Sequence, residues 1–224
     1  MRIDTFGILG RKLGQTSVFT DDGSRLNVTV VEAGPCKVVT KRTKEKDGYE
    51  AVQIGFGSKK SYSTNKPDLG RFKALGHEPL AHLKEVRLPS EELAKINVGD
   101  DLTVKAFEAG ELVDVAGITK GKGFSGVIRR YKFSGFRATH GTHEYFRHGG
   151  GISAREHPGK VWKNKRMPGH MGVDKVTTQN LKVVQVRPDE NVILIQGSVP
   201  GPINGIVYVQ KARKAAHRKA AGKK

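Results

Sequence analysis

The 224-residue sequence predicts a mainly β protein: a β-barrel body, interrupted by a long basic Gly/aromatic-rich inserted extension and ended by a basic C-terminal tail. Three observations carry that prediction. Short β-branched and apolar runs recur between turn signals in both outer parts of the chain. These runs stop near Thr119 and resume near Val176. Seventeen of the eighteen net positive charges fall in Lys120–Lys175 and Lys211–Lys224.

The strand pattern begins at Thr16–Phe19. After the turn Asp21-Asp22-Gly23 comes Leu26–Glu32, where Leu26, Val28 and Val30 alternate with polar neighbours, as a half-buried strand requires. Lys37–Thr43 and Ala51–Phe56 flank Asp47-Gly48, a turn pair that tolerates positive φ. Leu83–Leu88 follows, then Pro89–Ile96 as a short helix with Ser90 as N-cap and Glu91 and Glu92 near its positive end. Gly99-Asp100 turns the chain into Leu102–Phe107 and Leu112–Thr119. Beyond the extension lie Leu181–Arg187, Asn191–Gln196 and Ile206–Gln210. Many short strands at near-regular spacing favour a barrel or sandwich over a doubly wound sheet. The domain organisation read from this pattern is residues 1–119 plus 176–210 as a discontinuous body, 120–175 as the extension and 211–224 as the tail.

The charge distribution narrows the function. Lys120–Lys175 holds thirteen Lys or Arg against three acids, Glu144, Glu156 and Asp174, and Lys211–Lys224 holds seven and no acid. The remaining chain carries twenty basic and nineteen acidic residues, a nearly neutral body. A positive field concentrated in this way points to a polyanion. No apolar run approaches the roughly 20 residues of a spanning helix, and neither basic segment has a sustained apolar stripe, so a membrane partner is set aside. The N-terminus lacks the continuous apolar stretch of a signal peptide. The single cysteine, Cys36, forms no internal disulfide and fits a reducing cytosol.

Within the 56 residues Lys120–Lys175 lie eleven glycines, seven of the fifteen aromatics and five of the eight histidines. So few aliphatic residues cannot offset the entropy of ordering the segment; another molecule must supply the shape. Run out and back, about 28 residues per arm span at most roughly 90 Å. Cations interleaved with aromatics and glycines suit RNA: Lys and Arg neutralise phosphates, planar groups stack on unpaired bases, and glycine lets the backbone approach. The candidate RNA-binding residues are Lys120, Lys122, Arg129, Arg130, Lys132, Arg137, His140, Arg147, His148, Arg155, Lys160, Trp162, Lys163, Lys165 and Arg166. Lys211 and Arg213 join them from the tail, and Lys59, Lys60, Lys66, Arg71 and Lys73 form a smaller lateral cluster.

Other chemistries fit poorly. Gly121, Gly123 and Gly126 spell G-x-G-x-x-G, but no strand with a suitably spaced acid follows, so a dinucleotide site is rejected in favour of a glycine-rich turn whose amides cradle a phosphate. His140, His143 and His148 lack a nearby cysteine and an H-E-x-x-H arrangement, which argues against zinc. No nucleophile motif or convincing carboxylate pair supports catalysis. The chain therefore reads as a non-enzyme without cofactor, metal or small-molecule substrate. An architectural DNA-binding protein shares the charge and is the main rival.

Several blocks carry a family resemblance. GILGRKLGQTSVFTDDG (Gly7–Gly23) resembles the opening of the bacterial ribosomal large-subunit protein L-three family, with Gln15 where Met is usual. DGYEAVQIGFG, NKPDLGRFKALG, GITKGKGFSGVIRRYKF and PGKVWKNKRMPGHMG resemble further family blocks in the same order, from about Gly7 to about Gln210. The resemblance implies a barrel closed by strands on both sides of the insert, direct binding of 23S-type rRNA and an early role in subunit assembly. It also implies neighbours of the L-fourteen and L-nineteen families and a cytoplasmic, ribosomal location. By the same resemblance, GKGF (Gly121–Phe124) sits at the base of the extension and Pro158–Gly172 on its returning arm. The tip, about His148–His157 and including Gly151, Ile152, Ser153, Ala154 and Arg155, reaches toward the peptidyl-transferase region. Ala154 stands where some members carry a methylated Gln, so that modification does not transfer.

Overall fold

The computed structural model describes residues 6–214. Strand β1 (Gly7–Phe19) starts nine residues earlier than the pattern predicts, through the glycine-rich run GILGRKLGQ. Glycine normally weakens a strand. Here close packing demands it: a Cβ on Gly10 would lie 2.5 Å from the Glu32 carbonyl oxygen. The chain continues through β2 (Arg25–Ala33), β3 (Cys36–Arg42), α1 (Lys44–Asp47), β4 (Ala51–Ser58), α2 (Lys66–Ala74), β5 (Leu80–Val86), α3 (Ser90–Ala94), β6 (Asp101–Leu102) and β7 (Leu112–Ile118). Then come β8 (Phe124–Ser125), α4 (Val127–Tyr131), β9 (Gly169–His170), β10 (Lys175–Arg187), β11 (Val192–Gln196) and β12 (Ile206–Lys211). The mainly β composition agrees with the sequence.

Six strands pair antiparallel in the order β1-β12-β7-β10-β11-β2, and β2 pairs back onto β1, so the ring closes as a barrel. Closure removes the edges that would otherwise invite another strand. A second sheet has the order β5-β4-β3-β6. One hydrophobic cluster joins the two: Ile8, Val31, Val115, Ile193, Ile195 and Val209 of the barrel pack with Val38, Ile54 and Phe56 of the second sheet. Each such fully buried side chain contributes about 1.5–3 kcal/mol. The buried Lys12 and Asp114 side chains are both paired. The Lys12 ammonium donates to the carbonyls of Val199 (2.8 Å) and Gly201 (3.2 Å), and Asp114 accepts from the backbone N–H groups of Asn180 (2.8 Å) and Arg213 (3.4 Å).

Several elements differ from the sequence reading. Ser90 is not the N-cap; Pro89 holds that position without a capping bond, and the Ser90 hydroxyl donates to Glu50 Oε2 at 2.7 Å. The strand expected over Leu102–Phe107 is short, because a 3₁₀ turn at Val104–Ala106 buries Val104. Helix α2 has no counterpart in the prediction; it carries three of the lateral cations and buries Phe72. Strand β10 begins six residues early, in the polar run Lys175–Asn180, held by its pairing with β7.

Among the described residues the chain divides into two compact units. One comprises the residues up to Ile118 together with those from Lys175 onward; the other is Thr119–Asp174.

Candidate nucleic-acid interface

The unit Thr119–Asp174 starts as two arms paired side by side. The Thr119 N–H donates to the Asp174 carbonyl (2.9 Å), the Lys122 N–H to Met171 (2.9 Å), and the Met171 N–H to Gly123 (3.0 Å). Strands β8 and β9 extend this ladder through Phe124 opposite His170 and Ser125 opposite Gly169. Gly172 makes the close approach possible: its φ is +84°, and a Cβ there would collide with the Lys120 carbonyl oxygen. Within Gly121–Gly126 the Lys122 amide is committed to the opposite arm and is not available to a phosphate.

Helix α4 ends where Lys132 turns left-handed (φ 60°), with its N–H bonded to Ile128. The Arg130 guanidinium donates to the Met167 carbonyl (2.8 Å) and so ties the helix to the returning arm. Arg130 and Arg166 also lie 5.0 and 5.6 Å from the Tyr131 ring, within cation–π range. Farther along, the Phe136 N–H donates to the Phe146 carbonyl (2.9 Å), and a 3₁₀ turn at His143–Arg147 sets Tyr145 edge-on to His148 at 4.7 Å. The run Gly151–Arg155 is exposed and lacks helix or strand. On the returning arm Trp162 is 61% exposed, with the Lys160 ammonium 5.5 Å from its ring.

The predicted residues Lys120, Lys122, Arg129, Lys132, Arg137, His140, Arg147, His148, Arg155, Lys160, Trp162, Lys163, Lys165 and Arg166 are all exposed; Arg130 is half-buried by its internal bond. Across Thr119–Asp174 only one apolar side chain, Val127, is buried. None of the twelve Lys and Arg there is ion-paired among the described residues, whereas the body pairs Lys37, Arg42, Arg71, Arg187 and Lys211 with acids. Unpaired, solvated cations on a segment without a hydrophobic interior form a surface suited to a polyanion.

Two members of the predicted set lie elsewhere. Lys211 belongs to β12, opposite Val113, and pairs with Glu111 at 3.1 Å; it is part of the barrel, not the start of a free tail. Arg213 follows that strand, its backbone bonded to Asp114. Residues 215–224 of the expected tail lie outside the described residues. In the lateral cluster, Arg71 is spent on Gln53 (2.7 Å) and Asp68 (3.6 Å), leaving Lys59, Lys60, Lys66 and Lys73 exposed. Among the described residues no group of three His, Cys, Asp or Glu side chains is placed to hold a metal ion, and no helix is long and apolar enough to cross a membrane. Phe136, Thr142 and Tyr145 were not singled out as site residues, yet they line one hollow with His140 and His148. The one signal for them in the sequence was aromatic content too high for a solvated linker.

Comparison with known proteins is consistent along the chain. The family model for ribosomal protein L3 matches residues 81–191, a span that takes in residues of both units. The large ribosomal subunit protein uL3 of Myxococcus xanthus (strain DK1622) is 52% identical over 213 residues, covering 95% of this chain and 95% of that protein. Its counterpart from Syntrophotalea carbinolica is 52% identical over 211 residues, covering 94% of this chain and 99% of that protein. The one from Herpetosiphon aurantiacus is 50% identical over 212 residues, covering 95% and 99%. With half of its residues shared along nearly its whole length, the chain belongs to the ribosomal protein L3 family.

Proposed function

We propose that this chain is a structural, non-catalytic constituent of the large ribosomal subunit, working in the cytoplasm, that binds large-subunit rRNA directly. Its relatives named as large-subunit proteins support the assembly it joins. The observation that carries direct rRNA binding is the unpaired cationic surface of Thr119–Asp174 on a segment with one buried apolar side chain. In this reading the body is residues 1–119 and 176–210, and residues 120–175 insert among rRNA helices and neutralise phosphates that otherwise repel. The exposed run Gly151–Arg155 is the proposed tip beside the peptidyl-transferase region, where it holds rRNA positions without transferring protons. An early role in assembly and contacts with L-fourteen and L-nineteen family proteins complete the reading, on the strength of the family resemblance.

A titration of large-subunit rRNA at several salt concentrations tests the mechanism. Contact with about 8 phosphates gives a log–log slope of roughly −6 for single-stranded contacts. A slope near −1, or equal affinity for random duplex DNA, contradicts it.

A further inference from the structure

The hollow between Phe136 and His148 has a shape and chemistry that phosphate neutralisation does not require. It is an open depression of about 520 Å³, lined by Phe136, His140, Thr142, Tyr145, His148 and Gly150. That volume lies within the usual range for small-molecule sites and exceeds what a nucleobase needs. Its walls are π surfaces. Phe136 and Tyr145 are 56% and 58% exposed, so their rings are accessible to a ligand. Tyr145 packs edge-on against His148, and both line the hollow. His140 and Tyr145 spend no side-chain polar atom on a partner among the described residues, so both have hydrogen-bonding capacity left for the edge of a planar ligand.

The backbone around the hollow is set under strain. His140 and His143 have φ of +57° and +50°, and Gly141 between them +78°. Non-glycine residues in this region cost about 1 kcal/mol or more each and collect at ligand clamps. A second hollow of about 360 Å³ adjoins the first, sharing Phe136, His148 and Gly150, and brings in Lys132. Lys132 carries no ion pair among the described residues. Aromatic walls for a base beside a free ammonium for the adjoining phosphate match the demands of one unstacked nucleotide.

We propose that this hollow receives an unpaired nucleobase of RNA, stacked against Phe136, Tyr145 and His148, with its phosphodiester running past Lys132. The proposal rests on the rRNA-binding reading above and goes beyond it. The segment does not only neutralise phosphates; it captures one extruded base and thereby fixes the register of the RNA along it.

The test uses the full chain and a large-subunit rRNA transcript. Ultraviolet cross-linking followed by mass spectrometry is expected to place a nucleotide on the peptide holding Phe136, Tyr145 or His148. The double variant Phe136→Leu with Tyr145→Leu keeps apolar bulk and removes the π faces. Its rRNA affinity is expected to fall about 10- to 100-fold, the size of lost base stacking, while the salt slope stays steep. Tyr145→Phe retains the ring and loses only the hydroxyl, so it is expected to lose far less affinity than the double variant; unchanged amide exchange at Lys122 and Met171 in the double variant shows that its loss follows from stacking and not from misfolding. Wild-type affinity in the double variant with a steep salt slope overturns the base pocket and leaves rRNA binding standing. Failure of the unaltered chain to prefer rRNA over random duplex DNA overturns both. Saturable binding of adenosine monophosphate, with rRNA affinity unmoved in the double variant, makes the hollow a free-nucleotide site and also overturns the proposal.

Discussion

Cys36 is the only cysteine, and its setting makes it inert. Burial, the largest cause, pushes its thiol up from 9.0 to about 12, and its S–H donates to the Leu9 carbonyl at 3.2 Å. The sign for stability follows from which state holds the proton. Below pH 9 the thiol is protonated in both folded and unfolded chains. Between pH 9 and 12 the unfolded chain releases a proton that the fold retains, so this group's contribution falls as pH rises. At pH 8 a maleimide is expected to label the native protein at least ~100-fold more slowly than the urea-unfolded chain. Equal rates would mean that Cys36 is accessible. At Lys12, a buried amine is held by hydrogen bonds to the carbonyls of Val199 and Gly201.

At the scale of elements, the paired arms at the base of Thr119–Asp174 depend on Gly172. Alanine there must adopt a φ of +84° and push its Cβ into the Lys120 carbonyl. Gly172→Ala is expected to weaken the ladder by about 1–3 kcal/mol. Faster amide exchange at Lys122 and Met171, with the body's exchange unchanged, is the measurement that checks it. The glycines at this point were visible in the sequence, but their partner was not. Gly121 and Gly172 are fifty-one positions apart, and a spacing motif that reads only neighbours links Gly121 to Gly123 and Gly126 instead. The same limit explains the early ends of β1 and β10. Their first residues are glycine-rich or polar, and only pairing with β2, β12 and β7 makes them strands.

For the whole molecule, the register of the body makes a strong prediction. Ile118 and Lys175 are direct partners in the antiparallel pair of β7 and β10. The two strands therefore already meet at the point where residues 119–174 leave and return. Replacing 119–174 with an Asn-Gly turn should yield a hairpin. The shortened protein is expected to unfold in urea as a single transition with a midpoint close to that of the full chain, and to lose rRNA affinity by about 100-fold or more at low salt. A body that fails to fold, although the turn suits the register, would show that the segment contributes to the core. Retained affinity would move the RNA interface to the lateral lysines of α2 and its flanks.

Composition and local pattern by themselves determined that this is a mainly β chain, that its net positive charge is gathered in two segments, one of them aromatic-rich, and that this aromatic-rich segment lacks the aliphatic residues for an interior of its own. Those properties depend on residue type and short-range period, which a linear sequence displays directly. Tertiary structure alone decided the rest. It closed the ring through pairs as distant as Gly7 and Gln210, bound Lys211 into a strand, committed the Lys122 amide to the opposite arm, and gathered Phe136, Tyr145 and His148 around one hollow. Each of these depends on which distant backbones meet, and that is set by the whole fold's packing and register, not by neighbours along the chain.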